Sequence, residues 1–161
     1  MSRLPELQAK VDAFFARVAA RHGADMQCAS GCADCCHARL TITAVEAAAI
    51  RQEVATWPAS QRRALADTGP ADRCAALGPD DRCRIYAARP LVCRSHGVPV
   101  KLHKNSLPVV CPKNFRETAA DPDCVLDQAT LSTVLLAVDR AEHPAAARVD
   151  LAALLADLAL C

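Results

Sequence analysis

Ten cysteines dominate this chain of 161 residues, and four of them fall within nine positions. Thiolates are soft ligands that suit zinc and iron–sulfur clusters, and two cysteines separated by two residues can bind one metal ion from a single turn. The spacing Cys28-x3-Cys32-x2-Cys35 is also one by which three thiolates can hold a cubane iron–sulfur cluster. The block of Cys28, Cys32, Cys35 and Cys36 therefore predicts a metal centre rather than a set of disulfides.

Two of these cysteines, Cys35 and Cys36, are adjacent in the chain. In extended backbone, neighbouring side chains point to opposite faces. On that basis we expect that they do not bind one tetrahedral ion as ordinary neighbours. Either they serve two centres, or one of them supports the site without being a ligand.

A second set of four cysteines follows at wider spacing, at Cys74, Cys83, Cys93 and Cys111. Alone it would be weak evidence, because no two of its members form a C-x2-C pair. Together the two sets make eight thiols, enough for two four-thiolate sites of either zinc or a cubane cluster. Cys124 and the terminal Cys161 lie outside these sets, and we expect neither to be a ligand.

Arginines are frequent beside the second set, including Arg89 and Arg94. Four thiolates around Zn²⁺ or an oxidised cubane cluster leave a net charge near −2. Guanidinium groups would offset that charge and donate hydrogen bonds to sulfur. Cys93-x2-His96 also has the spacing of a ligand pair, so His96 is an open candidate for a fourth ligand.

The composition indicates that a bound metal would help to stabilise the fold. The chain holds 34 alanines but only three Phe, one Tyr and one Trp, so few side chains can bury a large apolar area. Alanine favours helix without adding much core. A net charge of +1 gives no global field for nucleic acid, and we expect no such partner. The sequence shows neither a membrane span nor the layout of a signal peptide, so we expect a cytoplasmic protein with reduced thiols.

Periodicity predicts an α+β protein that is mainly α. Its N- and C-terminal helices would pack around a cysteine-rich, irregular centre with short β-hairpins. We expect one domain over residues 1–161, with core motif blocks at 24–115 and C-terminal helices within 125–160. Thr43 and Glu46 match a capping box at the start of a helix. Helices are predicted at 3–22, 44–57, 59–67, 125–142 and from Asp150, a short strand at 39–43, and hairpins at 74–86 and 98–111.

At this point the residues resemble the YkgJ-type cysteine-cluster family, described as a zinc- or iron-chelating domain. The resemblance rests on CASGCADCC (28–36), TITAVEAA (41–48), CRIYAARPLVCR (83–94) and two single cysteines. Ser95-His96-Gly97 departs from the more apolar stretch expected after the last block. The resemblance implies that Arg89, Pro90 and Arg94 support a chelating set made of Cys28, Cys32, Cys35, Cys36, Cys74, Cys83, Cys93 and Cys111.

The sequence is compatible with three functions. The first, slightly favoured, is an iron–sulfur protein with a redox or assembly role. The second is a zinc-binding structural or interaction module. The third is a small metal-dependent enzyme, although the sequence shows no catalytic constellation. The sequence leaves any protein partner unknown.

Overall fold

The structure is a computed structural model that describes residues 2–160. The chain folds into two compact units, each made of two separate stretches of sequence. Unit 1 comprises Met1–Ala29 and Leu91–Val138, and unit 2 comprises Ser30–Pro90 and Asp139–Cys161. The eight predicted ligands divide between them, with three in unit 1 and five in unit 2. The single domain over 1–161 stays a prediction.

Unit 1 is built on helix α1 (Leu4–His22). Leu4, Val11 and Val18 recur every seven residues, which places them on one helical face, and all three are buried. The backbone N–H of Leu4 donates to the hydroxyl of Ser2 at 3.2 Å, which satisfies one of the first free N–H groups of the helix. The short helix α4 (Leu91–Arg94) packs on α1, where Arg94 forms an ion pair with Asp12.

The strands of unit 1 are short. Strand β2 (Val100–Lys101) pairs in parallel with strand β3 (Leu126–Asp127). The hairpin predicted at 98–111 is reduced to one antiparallel bridge, in which Val100 and Val109 exchange two backbone hydrogen bonds of 2.9 and 2.8 Å. The helix predicted from residue 125 begins later, as α5 (Gln128–Glu142), because Leu126 and Asp127 are used in β3.

Unit 2 contains helices α2 (Ala44–Ala55), α3 (Ala59–Arg63) and α6 (Leu151–Ala159). The predicted capping box at the start of α2 is confirmed. The carboxylate of Glu46 accepts from both the backbone N–H and the hydroxyl of Thr43, at 3.0 and 2.8 Å. The buried Asp139 accepts from the N–H of Val45 at 2.8 Å. These bonds satisfy N–H groups of the first turn that would otherwise be buried without partners.

The core of unit 2 is made of small side chains as well as Leu, Ile and Val. Six alanines, at 33, 47, 75, 76, 88 and 159, belong to the same buried cluster as Ile50, Leu65 and Leu155. Strand β1 (Thr41–Ile42) pairs antiparallel with β4 (Val149–Asp150), and Asp150 caps α6 by accepting from the N–H of Ala153 at 2.8 Å. The α+β, mainly α fold class is confirmed.

Two expectations about unit 2 are wrong in detail. The hairpin at 74–86 has no regular strands, and its β-pairing is reduced to a single bridge between Leu77 and Cys83. The helix predicted at 59–67 ends at Arg63 and continues as a 3-10 turn, Ala64–Ala66. The two segments are tied together by Arg84, whose guanidinium donates to backbone carbonyls of Ala64, Asp67, Ala75 and Leu77.

Candidate metal centre

Cys35 and Cys36 lie on a 3-10 turn, Asp34–Cys36, and not on extended backbone. The N–H of Cys36 donates to the carbonyl of Ala33 at 2.8 Å and closes the turn. The two sulfur atoms are 4.0 Å apart. The expectation that adjacent side chains diverge is therefore wrong here, because it assumed a strand-like backbone. Two sulfurs on a tetrahedral zinc ion, each about 2.3 Å from the metal, lie about 3.8 Å apart, so these two could share one ion.

Cys74 is brought beside this turn by the backbone. Its N–H donates to the carbonyl of Cys36 at 2.8 Å, although 37 residues separate the two in the sequence. Cys74 is buried, and its own carbonyl accepts from the N–H of Leu77 at 3.0 Å. The hydrogen bonds place a second cysteine segment against the first without using a sulfur atom.

A tight turn of the chain brings Cys83 back towards the segment that contains Cys74. The N–H of Gly78 donates to the carbonyl of Arg82 at 2.8 Å, and Leu77 forms the bridge with Cys83. Within this turn Asp81 adopts a φ of 57°, a left-handed conformation that aspartate tolerates better than most residues. The turn thus places Cys83 opposite the segment that begins at Cys74.

The pKa values of the thiols indicate that these four cysteines share one environment. The hydrogen bond from Cys35 raises the pKa of Cys36 most, followed by burial and by the charges of Cys35, Cys74 and Cys83. Burial raises the pKa of the Cys83 thiol, and the charge of Cys74 raises it further. Like-charged thiolates that raise one another's pKa are stable as a group only with a cation among them.

Arg89 supplies part of the opposing charge. Together with the backbone N–H of Ile85, its guanidinium lowers the pKa of Cys83 against the effect of burial. The same guanidinium lies over the ring of Tyr86, with its central carbon 4.0 Å from the ring centroid. The ring helps to hold the guanidinium in place. The supporting role of Arg89 in metal binding stays a prediction.

In unit 1, Cys28 is exposed, and its sulfur lies against a polar pocket, formed around Asn114, that the sequence did not indicate. The side-chain amide of Asn114 donates to the Cys28 sulfur at 3.3 Å and to the carbonyl of Gly97 at 2.7 Å. Its oxygen accepts from the N–H of Gln27 at 2.8 Å. Asn114 is 1% exposed, and its N–H donates to the carbonyl of Cys111 at 2.8 Å. The only sequence signal was its position three residues after Cys111, a spacing that a single turn brings together.

Gly97 completes this pocket for a steric reason. Its φ is +106°, and a Cβ at this position would lie 2.6 Å from the sulfur of Cys28. Only glycine fits both the backbone conformation and the close approach. The Ser95-His96-Gly97 departure noted in the sequence therefore includes a residue that makes room for a thiol.

The remaining predicted site residues are placed as follows. Arg94, 9% exposed, donates to Asp12 at 2.6 Å, so one of its partners is a carboxylate. His96 is exposed. Cys93 and Cys111 are half-buried in unit 1, and Cys32 is half-buried in unit 2. The ligand roles of these cysteines, of Cys28 and of His96, and the supporting role of Arg94, stay predictions.

The donor chemistry fits a thiolate-bound metal. All nine cysteines within residues 2–160 are free thiols, and Cys161 lies outside that range. Three of them, Cys35, Cys74 and Cys83, raise the pKa of the Cys36 thiol through their charges, and the sulfurs of Cys35 and Cys36 lie at a distance that one ion can bridge. The fold and the site together fit the class of small proteins that could bind a metal through free thiols.

The chain belongs to the CxxCxxCC family, described as "Putative zinc- or iron-chelating domain", whose model matches residues 27–112. The match confirms the resemblance drawn from the sequence, and zinc or iron as the metal. It begins one residue before Cys28 and ends one residue after Cys111, so it includes all eight predicted ligands and excludes Cys124 and Cys161. No curated protein and no solved structure matches the chain. Among residues 2–160, no helix has the length and apolar character needed to cross a membrane.

Proposed function

We propose that unit 2 binds one zinc ion through Cys35, Cys36, Cys74 and Cys83, and that this ion holds the unit together. The observation that carries the proposal is the 4.0 Å separation of the Cys35 and Cys36 sulfurs. That distance is close to the separation of about 3.8 Å expected for two thiolates on one tetrahedral zinc ion.

The electrostatics support a divalent cation at this place. Four thiolates and one Zn²⁺ carry a net charge of −2, which is costly in a half-buried site. Arg89 offsets part of it, and its influence on the Cys83 thiol supports a role in binding. Backbone hydrogen bonds at Cys74 and Cys36 hold two of the three ligand segments before any sulfur is used.

The small core supports a structural role for the ion. Alanines fill much of the buried cluster of unit 2, and each contributes little apolar area. A structural zinc site contributes on the order of 10–16 kcal/mol to the folding of small domains. We therefore favour a zinc-stabilised structural or interaction module, and we infer a reducing compartment such as the cytoplasm, where thiols stay available.

The second candidate is an iron–sulfur protein with a redox or assembly role, which the Cys28-x3-Cys32-x2-Cys35 spacing favours. The thiolates of a cubane cluster each bind a different iron at separate corners. This keeps their sulfurs farther apart than two ligands of a single ion, so the close Cys35–Cys36 pair supports zinc instead.

The test is purification without oxygen, followed by measurement of metal content, inorganic sulfide and the visible spectrum. We expect a colourless protein that contains zinc, and we expect Cys36→Ser to lose about one zinc per chain relative to the wild type. Cys161→Ser, outside the family match, is the matched control and should retain its zinc. A brown protein that contains iron and sulfide would overturn the proposal that the metal is zinc and would support the second candidate. Equal zinc in wild type and Cys36→Ser would overturn the assignment of the site.

A further inference from the structure

A separate cluster of metal-ligand side chains lies in unit 1, outside the family match. A nitrogen of His22, a carboxylate oxygen of Asp121 and the sulfur of Cys124 all lie within 4.8 Å of one another. His22 ends α1, whereas Asp121 and Cys124 flank the 3-10 turn Pro122–Cys124. Residues about 100 positions apart in the sequence thus bring three different donor atoms together.

The imidazole of His22 is oriented as a metal ligand would be. Nδ1 lies 3.5 Å from a carboxylate oxygen of Asp25. Nε2 lies 3.4 Å from Oδ2 of Asp121 and accepts from the Asp121 N–H at 3.5 Å. An acceptor at Nε2 requires the proton on Nδ1, next to Asp25. A carboxylate beside one ring nitrogen, with the other nitrogen within the donor cluster, is the usual arrangement of a metal-binding histidine.

Packing fixes the ring in this orientation. The His22 ring meets the ring of Phe115 edge to face, with centroids 5.2 Å apart at 61°. The N–H of Phe115 donates to the carbonyl of Asp25 at 2.9 Å and ties the same loop in place. The His22 side chain is 12% exposed, so ring and carboxylate are held together with little access for water to replace their contact.

The charges around the cluster favour a cation. Asp25, Asp121 and Asp123 face the site region, and Arg21 is the positive group paired with them, at 2.7 Å from Asp123 and 3.3 Å from Asp121. Arg21 also donates to the sulfur of the fully buried Cys124 at 3.8 Å. Arg17 also donates to the backbone carbonyl of Asp123 at 3.1 Å, so three carboxylates face two guanidinium groups and one negative charge is left in excess.

We propose that His22, Asp121 and Cys124 form a second type of metal site, which takes a zinc-like divalent cation through nitrogen, oxygen and sulfur. This donor set suits zinc, a borderline-soft ion, better than magnesium or calcium, which prefer oxygen alone. Three protein ligands leave one coordination position for water. The Asp121 side chain is 50% exposed, so this position opens towards solvent on its side.

The first test measures zinc per chain in proteins purified from zinc-supplemented cultures. Asp121→Ala and His22→Gln should each lose about one zinc relative to the wild type, because each removes one of three protein ligands. Their matched controls are Glu117→Ala, which removes the same charge at an exposed position, and His103→Gln, at an exposed histidine; both should keep the wild-type content. Equal zinc in all five proteins overturns the proposal. Loss in Cys36→Ser but not in Asp121→Ala likewise overturns it while leaving the four-cysteine centre intact.

A second measurement uses only the wild-type chain and so does not depend on a variant that folds. In cadmium-loaded protein, cadmium NMR should show one resonance in the range of mixed nitrogen, oxygen and sulfur ligation, well separated from the resonance of sulfur-only sites. Its coupling to the β-protons of Cys124 would confirm the assignment. A spectrum that contains only sulfur-rich signals overturns the proposal.

Discussion

At the scale of single residues, Arg89 shows how the protein lowers the cost of ionising a buried thiol. Burial raises the pKa of Cys83, whereas the Arg89 guanidinium lowers it. A metal binds the thiolate, so a raised thiol pKa makes protons compete with the metal until a higher pH is reached. Removal of Arg89 therefore raises the thiol pKa further and moves metal uptake to higher pH.

We predict that Arg89→Met shifts the midpoint of pH-dependent metal uptake upward. The measurement is a metal titration over a range of pH, followed by metal content after desalting. Arg82→Met is the matched control, because it removes the same charge at an exposed position beside Cys83. Identical midpoints in the two variants would contradict a role for Arg89 at the Cys83 thiol.

Asn114 leads to a second prediction at this scale. Its buried side chain makes three hydrogen bonds, to Gln27, Gly97 and Cys28. Asn114→Ala leaves buried backbone groups without partners, which costs about 1–3 kcal/mol for each unsatisfied group. We expect a clear fall in the free energy of unfolding measured with urea, whereas the exposed Asn105→Ala should change it by less than about 0.5 kcal/mol. Equal stability of the two variants would show that the Asn114 bonds do not hold the Cys28 pocket.

The cysteines and Asn114 differ in how much the sequence revealed. Cysteine spacing predicted a zinc- or iron-chelating domain, which the family match confirms, because few other uses require so many thiols so close together. It could not give the geometry of Cys35 and Cys36, which depends on a 3-10 turn that no residue pattern marks. Asn114 carried no motif, because its role follows from the fold placing Gln27, Gly97 and Cys28 around one amide.

At the scale of elements, the start of α2 depends on a few buried polar bonds. Thr43 is 1% exposed and Glu46 is 4% exposed, and each is the partner of the other. Thr43→Ala removes the cap and leaves the Glu46 carboxylate with one bond fewer. We predict a loss of about 1–2 kcal/mol in the free energy of unfolding. Thr118→Ala, at an exposed loop position, is the control in the same denaturation experiment, and a similar loss in both variants would contradict the capping role.

Elements with strong local signals were predicted well, and those set by distant partners were not. Helix α1 follows from the spacing of Leu4, Val11 and Val18, and the α2 start follows from Thr43 and Glu46. Strand β3 has no such signal, because Leu126 and Asp127 become a strand only by pairing with β2. Because of that long-range contact, α5 begins at Gln128 and not at residue 125.

At the scale of the whole molecule, we predict that metal removal destabilises unit 2 strongly. A structural zinc of about 10–16 kcal/mol is comparable to the entire stability of a typical domain, about 5–15 kcal/mol. Treatment with a strong chelator and reductant should reduce helical circular dichroism and speed amide exchange in α2 and α6. Zinc added back in excess should restore both signals, and a chain that keeps its helicity and exchange protection after the metal has been removed would contradict the structural role.

The backbone bond between Cys74 and Cys36 has a consequence for how fast the protein acquires its ion. Bringing together two cysteines that are separated by 37 residues has an entropic cost that grows with the logarithm of the loop length. In the folded unit an amide and a carbonyl join these two segments, so this bond and the proposed ion together offset the cost of closing the loop. An arriving ion can first meet the exposed Cys35 and then pass to the buried Cys74. We therefore expect uptake of the proposed ion to proceed by ligand exchange between thiols.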